Sequence, residues 1–256
     1  HTENLLDILN AVGVSVLWRD NNSDSKGVAT RITYEDYKDE FTNPPIDGEP
    51  RDEGMLLGLQ EYIDEQEGDV FIVLHQMGSH GPAYYKRYPN CFEIFTPVRK
   101  SSQLEQSSKE EIDNAYDNTI LYTDYFLSKV IELLKRNDAD RQAAMLYFSD
   151  HGESLGENNL YLHGYPYAFA PIEQKHVPAI LWFGQNFPID KEAIKARKSE
   201  PFSHDNIFHT VLGLFEANTK VRNADLDLIA SSNAYLPALD RETTRLLARA
   251  RISQID

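Results

Sequence analysis

Val70-Phe71-Ile72-Val73-Leu74 is an apolar run rich in β-branched residues that follows Gly68 and ends at His75. A strand apolar on both faces belongs inside a parallel sheet, where helices cover both sides. Just upstream, over residues 52–66, Met55, Leu56, Leu59 and Ile63 recur at helical spacing, so a helix feeds this strand. The chain opens with the same step: Thr2 reads as the cap of a helix carrying Leu5, Leu6, Ile8 and Leu9, Gly13 ends it, and Val14-Ser15-Val16-Leu17-Trp18 reads as a strand. Downstream, Ser108 and Glu111 frame a capping box before a helix over 109–136 striped by Ile112, Tyr116, Ile120, Leu127, Ile131 and Leu134. Strands at 143–148 and 177–183, a helix at 204–215 and a charged terminal helix after Asp240 follow. The polar stretch 20–50 reads as loop. Helix and strand in turn, joined by connections long enough for crossovers, predict a doubly wound α/β fold.

Composition narrows the function. The 256 residues carry a formal charge of −16, which disfavours a general nucleic-acid binder, because coating phosphates requires a cationic face. Hydrophobic residues at 41% supply a sizeable core and leave no case for disorder. No apolar stretch approaches the ~20 residues that a membrane helix needs. The chain begins at His1 without a signal-like segment and reads as a mature, excised or engineered piece. The lone Cys91 cannot form an intramolecular disulfide.

In open α/β sheets ligands gather beyond the carboxyl ends of the strands, where loops converge and helix N-termini point their dipoles. That rule selects 19–26, 75–82 and 150–163, all rich in Asp, His, Asn, Ser, Lys and Gly. In Ser149-Asp150-His151-Gly152-Glu153, a carboxylate and an imidazole leave a strand end together, and Gly152 lets the backbone turn so that both face one divalent cation. Such donors suit zinc, or manganese or magnesium if carboxylates dominate. The competing reading is an Asp that caps a helix beside a locally bonded His. His163 follows 13 residues after Asp150, and His80 lies in the glycine-flanked turn Gly78-Ser79-His80-Gly81-Pro82. Either alone reads as a surface or structural histidine. Together with Asp150-His151 they form a set suited to phosphoryl chemistry, which needs a metal to screen anionic oxygens and an imidazole to move protons. His75 reads as buried or as support for a ligand, and His176 and His209 as structural or solvated. Lys26 with Asn21, Asn22 and Ser23 offers donors to a phosphate, or forms an ordinary Asx-rich turn. Tyr84, Tyr85, Lys86 and Arg87 read as the lining of a headgroup pocket or as an exposed basic-aromatic turn.

The segments 73–89, from Val73-Leu74-His75 through Tyr88-Pro89, then Asn114-Ala115-Tyr116-Asp117-Asn118-Thr119-Ile120, and then 149–158 resemble the soluble catalytic domain of the lipid A phosphoethanolamine transferases, which include the mobile colistin-resistance enzymes. The likeness begins at Asn4-Leu5-Leu6-Asp7 and continues through Ala170-Pro171, Val177-Pro178-Ala179 and Ser203-His204-Asp205-Asn206, covering nearly the whole chain in order. It implies a three-layer α/β/α sandwich of alkaline-phosphatase/sulfatase type with a mostly parallel sheet. Residues 1–256 would form one periplasmic catalytic domain lacking its N-terminal part, tethered in full-length form to the bacterial inner membrane. The implied reaction is Zn2+-dependent transfer of phosphoethanolamine from phosphatidylethanolamine to a lipid A phosphate through a covalent phosphothreonine, conferring polymyxin resistance. Carried over position by position, Asp150 and His151 are zinc ligands, His80 and His163 contact the transferred phosphate or a second zinc and assist proton transfer, and Asn22, Ser23 and Lys26 sit at the headgroup site. The family's nucleophilic Thr and a Glu ligand fall upstream of His1. Where the family carries stapling cysteines, this chain has Ser25, Ala29, Arg99 and Ser107.

Two alternatives stand beside that reading. One is a phosphatase, phosphodiesterase or sulfatase-like hydrolase on the same fold, with water as acceptor. The other is an inactive fragment that holds a metal or an anionic headgroup without turnover.

Overall fold

The computed structural model describes residues 3–230. Its contacts gather into two units, 1–184 and 185–256. In the first unit α1 (Leu5–Ala11) leads to β1 (Ser15–Asp20), against which it packs. Thr2, expected as the cap of α1, lies outside the described residues. Asn4 caps the helix instead: its side chain accepts from the amides of Leu6 and Asp7, and Asp7 answers by accepting from the Asn4 amide at 2.7 Å.

The stretch read as loop contains a short strand, β2 (Thr33–Asp36), which pairs parallel with β1 from Leu17↔Thr33 to Asp20↔Asp36. Four residues, Thr-Tyr-Glu-Asp, on an exposed edge give no apolar periodicity, so the pattern is silent there. The helix expected over 52–66 is two pieces, a 3-10 turn (Asp52–Leu56) and α2 (Leu59–Asp64). The chain breaks at Gly58, which takes φ +64, a left-handed conformation that glycine adopts without the clash a Cβ would meet.

β3 (Val70–His75) pairs parallel with β1 from Ser15↔Val70 to Asp20↔His75, giving the order β2-β1-β3. Its apolar run reads as a central strand, yet β3 has no ladder partner on its far side among the described residues, and all six residues are partly exposed. α3 (Lys109–Asn137) starts at the expected capping box, with Ser108 accepting from the Glu111 amide and Glu111 Oε2 accepting from the Ser108 amide at 2.8 Å. Its inner face brings Phe126, Leu127 and Val130 together with Met55, Leu74, Met145 and Tyr147, while Leu133 joins Leu17, Leu59 and Ile63. Thus α2 and α3 pack on β1 and β3, and α3 reaches on to β4 (Ala144–Phe148).

Beyond β4 the chain forms a short hairpin, β5 (Ser154–Leu155) with β6 (Tyr161–Leu162), before β7 (Ala179–Phe183). β7 pairs antiparallel with β4, from Ala144↔Phe183 to Phe148↔Ala179. Parallel pairing therefore holds in β2-β1-β3. It gives way at β4-β7 because no α-helix lies between those two strands to carry the chain back for a crossover. In the second unit, α4 (Lys191–Ala196) is capped by Asp190, and α5 (Asp205–Leu214) packs against the turn at Ala224–Leu226. The terminal helix expected after Asp240 lies outside the described residues.

Candidate metal and phosphate site

β1, β3 and β4 each end in one of the loops selected from the sequence. After β3, the chain turns through Gly78, at φ +52, to present His80. After β4, Gly152 lies so close to the opposite chain that a Cβ there would come within 1.9 Å of the Glu173 carbonyl oxygen. Its own amide donates to the Gln174 carbonyl at 3.1 Å, which fixes the turn that carries His151. The hairpin β5-β6 then brings His163 back.

These three loops converge: one ring nitrogen from each of His80, His151 and His163 lies within 4.8 Å of those of the other two, the only such group of metal-binding side chains among the described residues. The rings of His151 and His163 stack at a centroid distance of 3.8 Å, and His80 stands edge-on to His163 at 4.9 Å. Each Nδ1 faces an acceptor: the Gly81 carbonyl at 2.8 Å for His80, the Gly152 carbonyl at 3.1 Å for His151, and Glu153 Oε1 at 3.1 Å for His163. A carbonyl or carboxylate accepts only, so in the neutral ring the proton sits on Nδ1 and the lone pair on Nε2. Three such imidazoles are the donor set of a tetrahedral zinc centre that keeps a fourth position open. The residues present therefore fit a divalent metal.

Glu153 carries more of this arrangement than its place in the sequence suggests. Its side chain is 4% exposed, and it accepts from the Gly81 amide at 3.1 Å and the Tyr84 hydroxyl at 3.2 Å as well as from His163. One carboxylate thus ties the His80 turn to the His163 hairpin. Burial, and then the charge of Glu153, raises the Tyr84 phenol pKa, so Tyr84 stays protonated and donates. Glu153 lies two residues past His151, but only the fold shows that it reaches back to loops 72 and 10 residues away.

Asp150 stands at the edge of this cluster. Its carboxylate accepts from the His151 amide at 3.1 Å and lies 3.8 Å from His151 Nε2, with the side chain 76% exposed. On the β1 side, the Asn22 side chain donates to the Gln76 carbonyl at 3.0 Å, fastening its loop to the one that carries His80, while the Asn22 backbone amide donates to Asp20 Oδ1 at 2.7 Å. Ser23 and Lys26 are exposed, and Lys26 has no hydrogen-bond or ion-pair partner among the described residues. Sequence reasoning also passed over Asp20. Fully buried at the end of β1, it binds His75 Nδ1 at 3.1 Å and accepts from Tyr34 at 2.9 Å. Its only sequence signal was a carboxylate at a strand terminus. Around the expected staple positions, Ser25 Oγ accepts from the Ala29 amide at 3.3 Å, and Arg99 donates to Gln106, beside Ser107.

Comparison with known proteins identifies the family of the chain. The sulfatase family profile matches residues 1–217. The chain is 48% identical over 84% of its length to phosphatidylethanolamine transferase Mcr-2 of Escherichia coli, and 43% identical over 90% to phosphoethanolamine transferase EptA of Salmonella typhimurium. It spans 41% and 43% of those proteins, respectively. The soluble domain of lipooligosaccharide phosphoethanolamine transferase A from Neisseria meningitidis superposes with a TM-score of 0.87 at 38% identity, covering 93% of this chain and 72% of that one. The α/β fold of alkaline-phosphatase/sulfatase type expected from the sequence is borne out.

Proposed function

Because the chain belongs to the sulfatase family, among its phosphoethanolamine transferases, we propose that it is catalytic machinery for moving phosphoethanolamine from phosphatidylethanolamine to a phosphate of lipid A, with Zn2+ as cofactor. The observation that carries the metal part of this reading is the convergence of His80, His151 and His163 with every Nδ1 occupied by an acceptor. Zinc bound there would act as a Lewis acid, screening phosphoryl oxygens. His151 is the ligand nearest Asp150, whose exposed carboxylate offers an oxygen donor beside it. Glu153 accepts from His163 Nδ1 and so holds the ring in the tautomer that leaves the Nε2 lone pair for the metal. Asn22, Ser23 and Lys26 supply amide, hydroxyl and ammonium donors for the phosphoethanolamine headgroup, Asn22 being anchored through Gln76 to the His80 loop.

In this reading a threonine outside the 256 residues is the nucleophile. Its oxygen bonds to phosphorus as the bond to diacylglycerol breaks, and an oxygen of the lipid A phosphate then displaces it. His80 and His163 serve proton transfer to the departing oxygen and from the attacking one in the state in which zinc is held by His151 and Asp150 and their own Nε2 atoms are free. In the full-length protein this chemistry takes place on the periplasmic side of the bacterial inner membrane. Modified lipid A carries less net negative charge, which is the physical route to polymyxin resistance.

Two measurements test this. Zinc at about 100 times its Kd stabilises a protein that binds it only when folded by about 2.7 kcal/mol. The melting temperature should therefore rise with zinc and fall back with chelator, and His151→Ala should remove the response. Equal melting of wild type with and without zinc sinks the metal site. With the full-length protein and a fluorescent phosphatidylethanolamine, diacylglycerol should be released to at most one equivalent per protein without lipid A, as the phosphothreonine forms, and continuously once lipid A is added. Release of free phosphoethanolamine without lipid A would point to hydrolysis instead.

A further inference from the structure

A cavity of about 200 Å³ lies beside the histidine cluster, bounded by the loop after β1, the turn before α2 and the segment after His80. Four cations line it: Lys38, Arg51, Lys86 and Arg87. Lys86 is paired with Glu49 at 2.7 Å and Lys38 with Asp36 at 3.0 Å. The two arginines are different. Arg51 is 4% exposed, and among the described residues neither it nor Arg87 has a carboxylate within 4.0 Å.

Backbone carbonyls take only part of their donor capacity. Arg51 gives Nε to the Ile46 carbonyl at 3.0 Å and Nη1 to the Lys86 carbonyl at 2.7 Å, leaving Nη2. Arg87 gives Nε to the His80 carbonyl at 2.7 Å, leaving both terminal nitrogens. The one acid in the lining without an ion pair is Asp52. Its two oxygens are already filled by the Asn21 side chain at 2.7 Å and the amides of Met77 and Gly78 at 2.8 and 2.9 Å. Burial lowers the pKa of both guanidinium groups in spite of the attraction of Glu49 and Asp52 through space, and Arg51 adds repulsion at Arg87. A buried guanidinium and a half-buried one, neither touching a carboxylate among the described residues, are costly unless a ligand of opposite charge completes them.

We propose that this cavity binds the phosphate of the acceptor, a phosphate monoester, in the fork formed by Arg51 and Arg87. This rests on the transferase reading above and extends it to the second substrate. Two unpaired guanidinium charges match a monoester dianion better than the single charge of a phosphodiester donor, and the guanidinium fork fits phosphate oxygens in pairs. Arg87 donates to the backbone carbonyl of His80, so this wall of the cavity is tied to the loop that carries one of the three imidazoles.

The test is calorimetric titration of the 256-residue chain with inorganic phosphate, a sugar 1-phosphate and glycerophosphoethanolamine, all in chelator so that no metal contributes. Arg87→Gln should weaken phosphate binding by about tenfold or more, and Arg87→Lys, which keeps the charge but loses the fork, by less. Lys38→Gln, on a side chain that holds no backbone carbonyl, should weaken it by about threefold as a check that folding is not the cause. His151→Ala should leave phosphate binding unchanged. Binding indifferent to Arg87→Gln and Lys38→Gln, or lost in His151→Ala, overturns the site. A diester that binds as tightly as the monoester overturns its assignment to the acceptor. Zinc titrations on the same variants read the histidine cluster separately, so failure of the metal reading and failure of this one are distinguishable.

Discussion

Glu153 is one side chain with three buried duties, and two substitutions separate them. Glu153→Gln keeps the shape but loses the charge that makes His163 a stronger ligand, so zinc affinity should fall by about 10- to 100-fold in a titration while the fold persists. Glu153→Ala also strands the Gly81 amide and the Tyr84 hydroxyl, each an unsatisfied buried donor that costs about 1–3 kcal/mol, and this should appear as a lower urea midpoint even without metal. Gly152 presents a steric problem of another kind. An added methyl would meet the Glu173 carbonyl oxygen at 1.9 Å, and backbone on both sides has no rotamer with which to yield. Gly152→Ala should therefore destabilise by about 1–3 kcal/mol and disturb His151 next to it, so chemical denaturation and zinc binding should fall together.

Among the elements, the termini of α1 and α3 are the most directly testable. Ser108→Ala removes the cap of α3 and should cost about 1 kcal/mol in thermal or urea unfolding. At α1, hydrogen bonds from Arg31, and then from the Asn4 amide, lower the Asp7 pKa to about 2. A carboxyl depressed in the folded state contributes stability that is present above its unfolded pKa of ~4 and is lost as pH falls toward 2. Asp7→Asn should therefore cost stability at pH 6 and little at pH 2, and an equal cost at both would remove the pair from the account. These elements also show what the sequence makes legible. α3 was readable at both ends because a capping box and a long apolar stripe are local signals, and β3 because five consecutive apolar residues admit few other readings. β2 was not readable, being four polar residues held by pairing with β1. Nor was the break at Gly58, where one glycine overrides a periodic pattern. The three histidines stood out by residue type and their positions after strands. Glu153, Asp20 and Arg51 did not, because their roles come from residues distant in the chain, whereas Arg87 lay in the basic-aromatic turn already read as a pocket lining.

For the molecule as a whole, the first unit builds its site entirely from loops hung on β1, β3 and β4, with α3 as the common support. With one cysteine, and that one exposed, those loops are closed by hydrogen bonds alone. A reductant should leave the melting temperature unchanged, and any shift would reveal Cys91 joining two molecules. The unshared side of β3 has a consequence that a deuterium-exchange experiment would display. Ser15 and Asn21 donate to the carbonyls of Asp69 and His75, so in this register the amides of Phe71, Val73 and His75 turn toward β1 while those of Val70, Ile72 and Leu74 turn away. Protons should thus be lost from this strand in alternation, one slow and the next fast. A partner strand lying along that side would flatten the alternation into uniform slowness.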